Sequence, residues 1–348
     1  MSEENTPLVK VEKFSKKYRL RRQNNRWWKK ESAEYFHALR NVSFDIFRGE
    51  TVGIVGESGC GKTTLGRALV GLADLIDGQI YFDGKNIYAL SSSELRLLRR
   101  RIQMIFQNPY AALNRHMRVR DIVAEGVRIN FDGTREQVDE RVRLLLDQVN
   151  FHKDKLMQFP GSLSGGERRR IGIARILAVQ PEFIVADEPV AALDLSIKSQ
   201  IVNLLQDLKE KLGLTIVFIS HDMSMITYLS DKIIVMYLGK IVEIMSSKVV
   251  DKKNAYHPYT KQLLRASEYM SGAGNVSYGS SEQEFSSEVP DRIPSGCPYH
   301  PRCSLYELKG KPSQCTENDP LLLELNSNAN TAHHVSCHFA EEVNEVTR

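Results

Sequence analysis

The densest chemistry in this chain lies in nine residues that follow an apolar stretch, Thr51–Val55: Gly56-Glu57-Ser58-Gly59-Cys60-Gly61-Lys62-Thr63-Thr64. Their spacing, G-x-x-x-x-G-K-[ST] between a strand and a helix, is that of a loop that wraps a phosphate. Glycines allow the backbone to curl so that successive N–H groups face phosphate oxygens. A helix from Lys62 to Val70 then points its positive end at the same anion. In such a loop Lys62 reaches the β- and γ-phosphates of a nucleotide, and the Thr63 hydroxyl ligates Mg²⁺. Gly56, Ser58, Gly59, Cys60, Gly61 and Thr64 complete the expected cradle. A dinucleotide fingerprint is excluded, because Gly59-x-Gly61 runs on to Thr64 where a third glycine is required.

A second apolar run, Phe183-Ile184-Val185-Ala186, ends in Asp187-Glu188. A carboxylate at a strand end suits the Mg²⁺ shell, which gives Asp187 the metal. Glu188 beside it can orient an attacking water or take its proton. Acids at strand ends are common, and this pair gains its meaning from the phosphate loop upstream.

The elements needed to hold these residues are legible from about Val42 to Met245, where short apolar strands alternate with amphipathic helices. That alternation is the pattern of an α/β domain around a largely parallel sheet. Strands are expected at Thr51–Val55, Ile102–Phe106, Phe183–Ala186, Thr215–Ile219 and Lys232–Tyr237. A helix over Ser196–Leu212 places Ile197, Ile201, Leu204, Leu208 and Leu212 on one face, and Gly213 can end it. Another over Arg135–Val149 gathers Val138, Val142, Leu145 and Val149, with Thr134 and Gln137 at capping-box spacing.

Composition bounds the rest. Lys plus Arg is 47 against 43 for Asp plus Glu, a net +4 that does not by itself argue for nucleic acid. Nothing approaches the ~18 consecutive apolar residues of a membrane-spanning helix, and the polar start Ser2 to Thr6 does not read as a signal peptide. The expectation is a cytoplasmic chain that reaches any membrane through partners. Lys16 to Lys30 carries eight basic residues with Trp27 and Trp28 and no acid. It reads as a solvated loop or as a contact for anionic headgroups or a partner's loops. Ser267 to about residue 289 turns rich in Ser, Gly and Glu, the composition of a linker. Four cysteines follow it, and in a chain read as cytosolic their crowding suggests metal before disulfide.

Three further segments give these motifs a family. Leu163-Ser164-Gly165-Gly166-Glu167 resembles the ABC signature, Ala192-Leu193-Asp194 resembles the loop linking two ABC sites across a dimer, and His221 resembles the switch histidine. Gln107, in Phe106-Gln107-Asn108-Pro109, resembles the ABC glutamine loop, with a catalytic and Mg²⁺-facing role. Tyr18 resembles the aromatic that stacks on adenine, with Phe14 as its rival. The resemblance implies an ABC-type P-loop nucleotide-binding domain over residues 1–247: a RecA-like core with a helical subdomain at about 108–163. It implies that Glu188, His221 and Gln107 act in hydrolysis. It also implies that Ser164, Gly165, Gly166 and Asp194 serve an ATP held by the opposite subunit. One position departs from the pattern: Glu167 stands where Gln is usual. Its charge should weaken nucleotide binding slightly unless Arg168 or Arg169 offsets it.

The tail from 248 to 348 sharpens the resemblance. His257-Pro258-Tyr259-Thr260 and the region around the four cysteines look like the C-terminal part of oligopeptide and dipeptide importer ATPases, of the second-ATPase type. Importers of that branch also carry nickel or oligosaccharides. The implied assembly has a second ATPase subunit, two membrane permeases and an extracytoplasmic solute-binding protein. A rival of another class is a soluble ABC ATPase working on nucleic acid, but such proteins usually carry two cassettes or a long coiled coil. Cys297, Cys303, Cys315 and Cys337 are spaced C-x₅-C-x₁₁-C-x₂₁-C. Four thiolates can hold an iron–sulfur cluster or a tetrahedral zinc, or can simply staple a small Cys-containing module without metal. The resemblance implies a [4Fe–4S] cluster, and His300, His333, His334 or His338 could replace a ligand.

Overall fold

A computed structural model describes residues 6–19, 35–74, 76–108, 113–250, 255–270, 293–325 and 333–346. The tryptophan-bearing part of the basic run and nearly all of the expected linker lie outside these residues.

The strands, in chain order, are β1 (Val9–Arg19), β2 (Tyr35–Ile46), β3 (Thr51–Val55), β4 (Asp77–Phe82), β5 (Lys85–Asn86) and β6 (Ile102–Ile105). They continue with β7 (Phe183–Asp187), β8 (Thr215–Ser220), β9 (Lys232–Tyr237), β10 (Lys240–Ser246), β11 (Leu323–Leu325) and β12 (His333–Val335). They form two sheets. The larger runs in the order β11-β12-β10-β9-β3-β8-β7-β6. Within it β9, β3, β8, β7 and β6 pair in parallel, and β10, β12 and β11 extend it antiparallel. The buried parallel strands are continuous apolar runs, as strands covered on both faces must be. The α/β architecture is therefore as expected, with each anticipated strand found to within one residue.

The second sheet, β2-β1-β4-β5, is antiparallel and was not foreseen. β1 slips register against both neighbours near Glu12–Ser15, and Lys13 takes a positive φ of 48°. Such bulges break the period-two pattern by which a strand is read.

The helix over Leu195–Leu212 ends at Gly213 in the left-handed conformation (φ 64°). Ile201, Leu204 and Leu208 of its expected face are buried, whereas Leu212 is exposed and Val202 and Leu205 take its place. The helix over Arg135–Gln148 opens with the capping box of Thr134 and Gln137. Its buried face is Val138, Val142, Leu146 and the following Val149, and Leu145 packs half-buried against the same cluster. A helix over Val119–Asn130 packs with it and with the helix over Gly165–Leu177 in one apolar cluster.

The C-terminal residues join this body. β12 pairs with β10, and the buried Glu243 of β10 accepts hydrogen bonds from the Tyr256 and His257 backbones while pairing with His333 at 2.7 Å. Tyr259, Cys297 and Tyr299 belong to the main apolar cluster.

Candidate functional site

The parallel strands end on one edge of the sheet, where open α/β folds place their ligands. β3 runs into the loop Gly56–Gly61, and the helix over Lys62–Leu69 starts from Gly61. Gly61 has φ 108°, and a Cβ there would lie 2.4 Å from the Ala38 carbonyl oxygen, so only glycine fits this turn. Lys62 is buried and its Nζ donates to the carbonyls of Gly56 (2.6 Å) and Glu57 (2.9 Å). The ammonium thus bridges the loop it arises from. Cys60 is buried beneath, and desolvation raises its thiol pKa, which leaves a neutral wall against the lysine.

Asp187 ends β7, and its Oδ1 accepts from the Thr63 hydroxyl at 3.1 Å. Burial raises the Asp187 pKa, the Thr63 hydrogen bond opposes the shift, and Glu188 adds to it. Two oxygens of the kind a hard cation takes are therefore adjacent, in a place that disfavours an uncompensated carboxylate. Glu188 follows in a left-handed backbone (φ 47°), with its N–H donating to the Ile219 carbonyl of β8. His221, one residue beyond β8, brings Nδ1 to 2.9 Å from Glu188 Oε1. The structure thus gathers Thr63, Asp187, Glu188 and His221 around the loop that holds Lys62.

Gln107 follows β6 after Phe106, is exposed, and accepts through its carbonyl from Arg169 Nη2 (3.2 Å); Arg169 Nη1 donates to the Phe106 carbonyl (3.0 Å). Arg169 is 2 % exposed, and burial lowers its pKa to about 10. The helix that starts at Gly165 is thereby tied to the glutamine segment. Ser164 caps that helix, a Cβ built on Gly165 would lie 3.5 Å from Leu193 Cδ2, and Asp194, next to Leu193, precedes the helix over Leu195–Leu212. Tyr18 is 41 % exposed under Lys16 Nζ, which sits 5.1 Å from the ring centroid, whereas Phe14 is buried against Tyr88. Of the two aromatics, only Tyr18 offers a free face.

The charge of Glu167 is met by a residue the sequence did not suggest. Lys155 Nζ lies 2.6 Å from Glu167 Oε1, and this contact holds the carboxyl pKa down to about 2. Arg168 instead donates to the Pro160 and Leu163 carbonyls. The other Glu167 oxygen accepts from the Ser164 N–H at 2.9 Å and closes a capping box. No periodicity links positions 155 and 167, so only folding reveals the pair.

The four tail cysteines are reduced; Cys297 and Cys315 are buried, and the Cys297 N–H donates to the Cys315 carbonyl at 2.9 Å. Burial raises the pKa of Cys297 to about 11 and of Cys337 to about 12, and neighbouring thiols add to both shifts. The sulfurs share one neighbourhood. Among the described residues, however, no three His, Cys, Asp or Glu side chains are gathered as a metal site. Among the same residues, no helix is long and apolar enough to cross a membrane.

Comparison with known proteins gives this site its context. Residues 39–191 match the family model of the ABC transporter, and residues 242–308 match that of the oligopeptide/dipeptide transporter C-terminal region. A peptide import ATP-binding protein of Brucella ovis is 44 % identical over 302 residues, covering 86 % of this chain and 90 % of its own. An oligopeptide transport ATP-binding protein of Bacillus subtilis is 50 % identical over 231 residues, covering 66 % of this chain and 75 % of its own. A dimeric ATP-binding cassette solved in a post-hydrolysis state with ADP and Pi superposes with a TM-score of 0.60 at 29 % identity, covering 69 % of this chain and 98 % of its own. The chain belongs to the ABC transporter ATPases, in the branch of the oligopeptide and dipeptide importers.

Proposed function

We propose that this chain is the ATP-hydrolysing subunit of an importer of oligopeptides or dipeptides, seated on the cytoplasmic face of the membrane against two permeases. A second, related ATPase subunit and an extracytoplasmic solute-binding protein complete the assembly. The observation that carries this reading is the convergence of Lys62, Thr63, Asp187, Glu188 and His221 on one edge of the sheet.

In this reading Lys62 exchanges the Gly56 and Glu57 carbonyls for the β- and γ-phosphates of ATP. Thr63 and Asp187 would hold Mg²⁺, with Gln107 as a further ligand, and bound Mg²⁺ would neutralise charge on the phosphates. Glu188 orients the attacking water and takes its proton, and His221 holds the Glu188 carboxylate while reaching toward the γ-phosphate. Tyr18 stacks on the base. Ser164, Gly165 and Gly166 close on the nucleotide of the second subunit, with Asp194 at the same interface, so ATP favours the closed pair because it contacts both only there. A groove of about 410 Å³ lined by Met104, Phe106, Leu113, Glu125 and Ile129 accepts a cytoplasmic segment of a permease. Arg169 on its wall joins that groove to the glutamine segment.

The four cysteines fit a [4Fe–4S] cluster by donor type, with zinc as the alternative; ligation would require the sulfurs to draw together from their present positions. The function is tested on the assembled transporter in lipid vesicles. Peptide-loaded binding protein should stimulate ATP hydrolysis and peptide should accumulate inside. Stimulation by nickel or oligosaccharide alone would reassign the solute, and hydrolysis indifferent to the membrane subunits would remove the transporter.

A further inference from the structure

Glu57, the first residue of the phosphate loop after Gly56, is held from three directions. Its carbonyl accepts from Lys62 Nζ at 2.9 Å and from the Cys60 N–H at 3.2 Å. Its N–H donates to the Tyr259 hydroxyl at 2.9 Å. Its carboxylate receives both Arg302 terminal nitrogens, Nη1 at 2.8 Å and Nη2 at 2.9 Å. The first hold lies within the loop; the other two come from residues more than 200 positions away in the C-terminal segment.

Both distant holds rest on rigid ground. The Tyr259 ring is wholly buried and packs on Tyr237 and Tyr299, with ring centroids 4.8 and 5.4 Å away. Arg302 lies over the Tyr237 ring, with its guanidinium carbon 5.9 Å from the centroid, and donates to the Tyr237 hydroxyl at 3.4 Å. A bidentate guanidinium–carboxylate pair fixes direction as well as distance, because its two bonds lie in one plane. Lys62 must leave the Glu57 carbonyl when it turns to a phosphate. The Cys60 N–H still reaches that carbonyl at 3.2 Å, while the C-terminal contacts hold the Glu57 N–H and carboxylate.

We propose that Tyr259 and Arg302 are positioning residues for ATP: through Glu57 they hold the phosphate loop in its binding shape after Lys62 has been released. Neither belongs to the residues assigned above to the nucleotide or to the attacking water. Their effect falls on the affinity for ATP, since a loop already in shape loses less freedom on binding. The inference rests on the reading of Gly56–Thr64 as the phosphate site. It adds that the C-terminal segment takes part in nucleotide binding, as distinct from docking or solute choice.

The test measures ATP binding to the purified full chain and steady-state hydrolysis by the assembled transporter. Tyr259→Phe removes one hydroxyl and Arg302→Ala the fork. Each should weaken ATP binding about tenfold, the size of one hydrogen bond to a charged or preorganised group, and raise KM with kcat nearly unchanged. The melting temperature of Tyr259→Phe should stay close to wild type. Arg302→Ala in a Glu57→Ala background should cost nothing further, and the exchange Glu57→Arg with Arg302→Glu should recover part of the loss. Wild-type affinity in both single variants would overturn the proposal. So would a loss that persists undiminished in the Glu57→Ala background, because Arg302 would then act on global stability. Lys62→Ala separates the two readings: if it binds ATP normally, the phosphate site itself is misplaced, whatever Arg302 does.

Discussion

His221 Nδ1 lies 2.9 Å from Glu188 Oε1, and Glu188 holds a left-handed backbone that non-glycine residues rarely adopt. The strain is held by the Glu188 N–H bond to Ile219 and by the β7–β8 pairing beneath it. A carboxylate so fixed can orient water without first having to be ordered itself. Glu188→Gln keeps the shape and the Mg²⁺ and phosphate contacts but loses the base. Hydrolysis by the assembled transporter should fall by ~10²–10⁴ while ATP still binds. Turnover within a few-fold of wild type would take the role from Glu188.

Lys62→Ala should act differently. The ammonium serves ground and transition states alike, so binding and hydrolysis should fall together, with ATP affinity reduced about ten- to hundredfold. In the free chain the Gly56 and Glu57 carbonyls also each lose the ammonium as a donor, so a small drop in melting temperature is expected. Unchanged affinity would show that the phosphate lies elsewhere.

The parts of this site that were legible in the sequence are those whose chemistry is local. A phosphate loop needs its glycines and lysine within nine positions, and a strand-end Asp-Glu needs only its strand. The continuous apolar runs of the buried strands fixed β3, β7, β8 and β9 nearly to the residue. What stayed hidden depended on distant partners or on broken periods. The antiparallel sheet was obscured by bulges in β1. Leu146 joins Leu145 on the core side, because a stripe written at 3–4 spacing names one residue per turn while the buried arc spans more than the ~100° between neighbours. The Lys155–Glu167 and Arg302–Glu57 pairs join surfaces that meet only in the folded chain.

Lys155 offers a charge test. It neutralises Glu167, whose carboxyl pKa is held near 2 by that contact. Lys155→Ala should leave a bare carboxylate beside the signature segment and raise KM for ATP about two- to fivefold at low ionic strength, less at high salt. Adding Glu167→Gln should restore the wild-type value. No effect at low salt would show that this carboxylate does not sense the nucleotide.

His257 sets an acid limit on stability. It is 1 % exposed, and burial lowers its pKa to about 3, well below the ordinary 6.5. Its Nδ1 accepts from the Tyr259 N–H at 3.1 Å, so the folded chain keeps the ring neutral. Below pH 6.5 the unfolded chain binds a proton that the folded chain refuses. Stability is therefore full above 6.5 and falls by about 1.4 kcal/mol per pH unit toward 3. His257→Asn, which keeps an acceptor but does not titrate, should flatten that slope by about half a proton on average in urea unfolding between pH 7.5 and 5.5. Equal slopes in variant and wild type would mean that His257 is protonated in the folded chain.

The last expectation concerns Cys297, Cys303, Cys315 and Cys337. The Cys297 N–H bond to the Cys315 carbonyl at 2.9 Å fastens two of their segments together. The elements around them are short: helices of five residues at Ser304–Leu308 and Ser313–Glu317, and strands of three at Leu323–Leu325 and His333–Val335. Elements this short bury little apolar surface of their own, and cross-links commonly supply the missing stability. If the proposed cluster is the cross-link, anaerobic purification of the full chain should yield iron and acid-labile sulfide together, and removing them should lower the melting temperature. Stoichiometric zinc without sulfide would replace the cluster with a tetrahedral site. Colourless protein with neither metal, melting as before after treatment with a chelator, would leave the four thiols as packing alone.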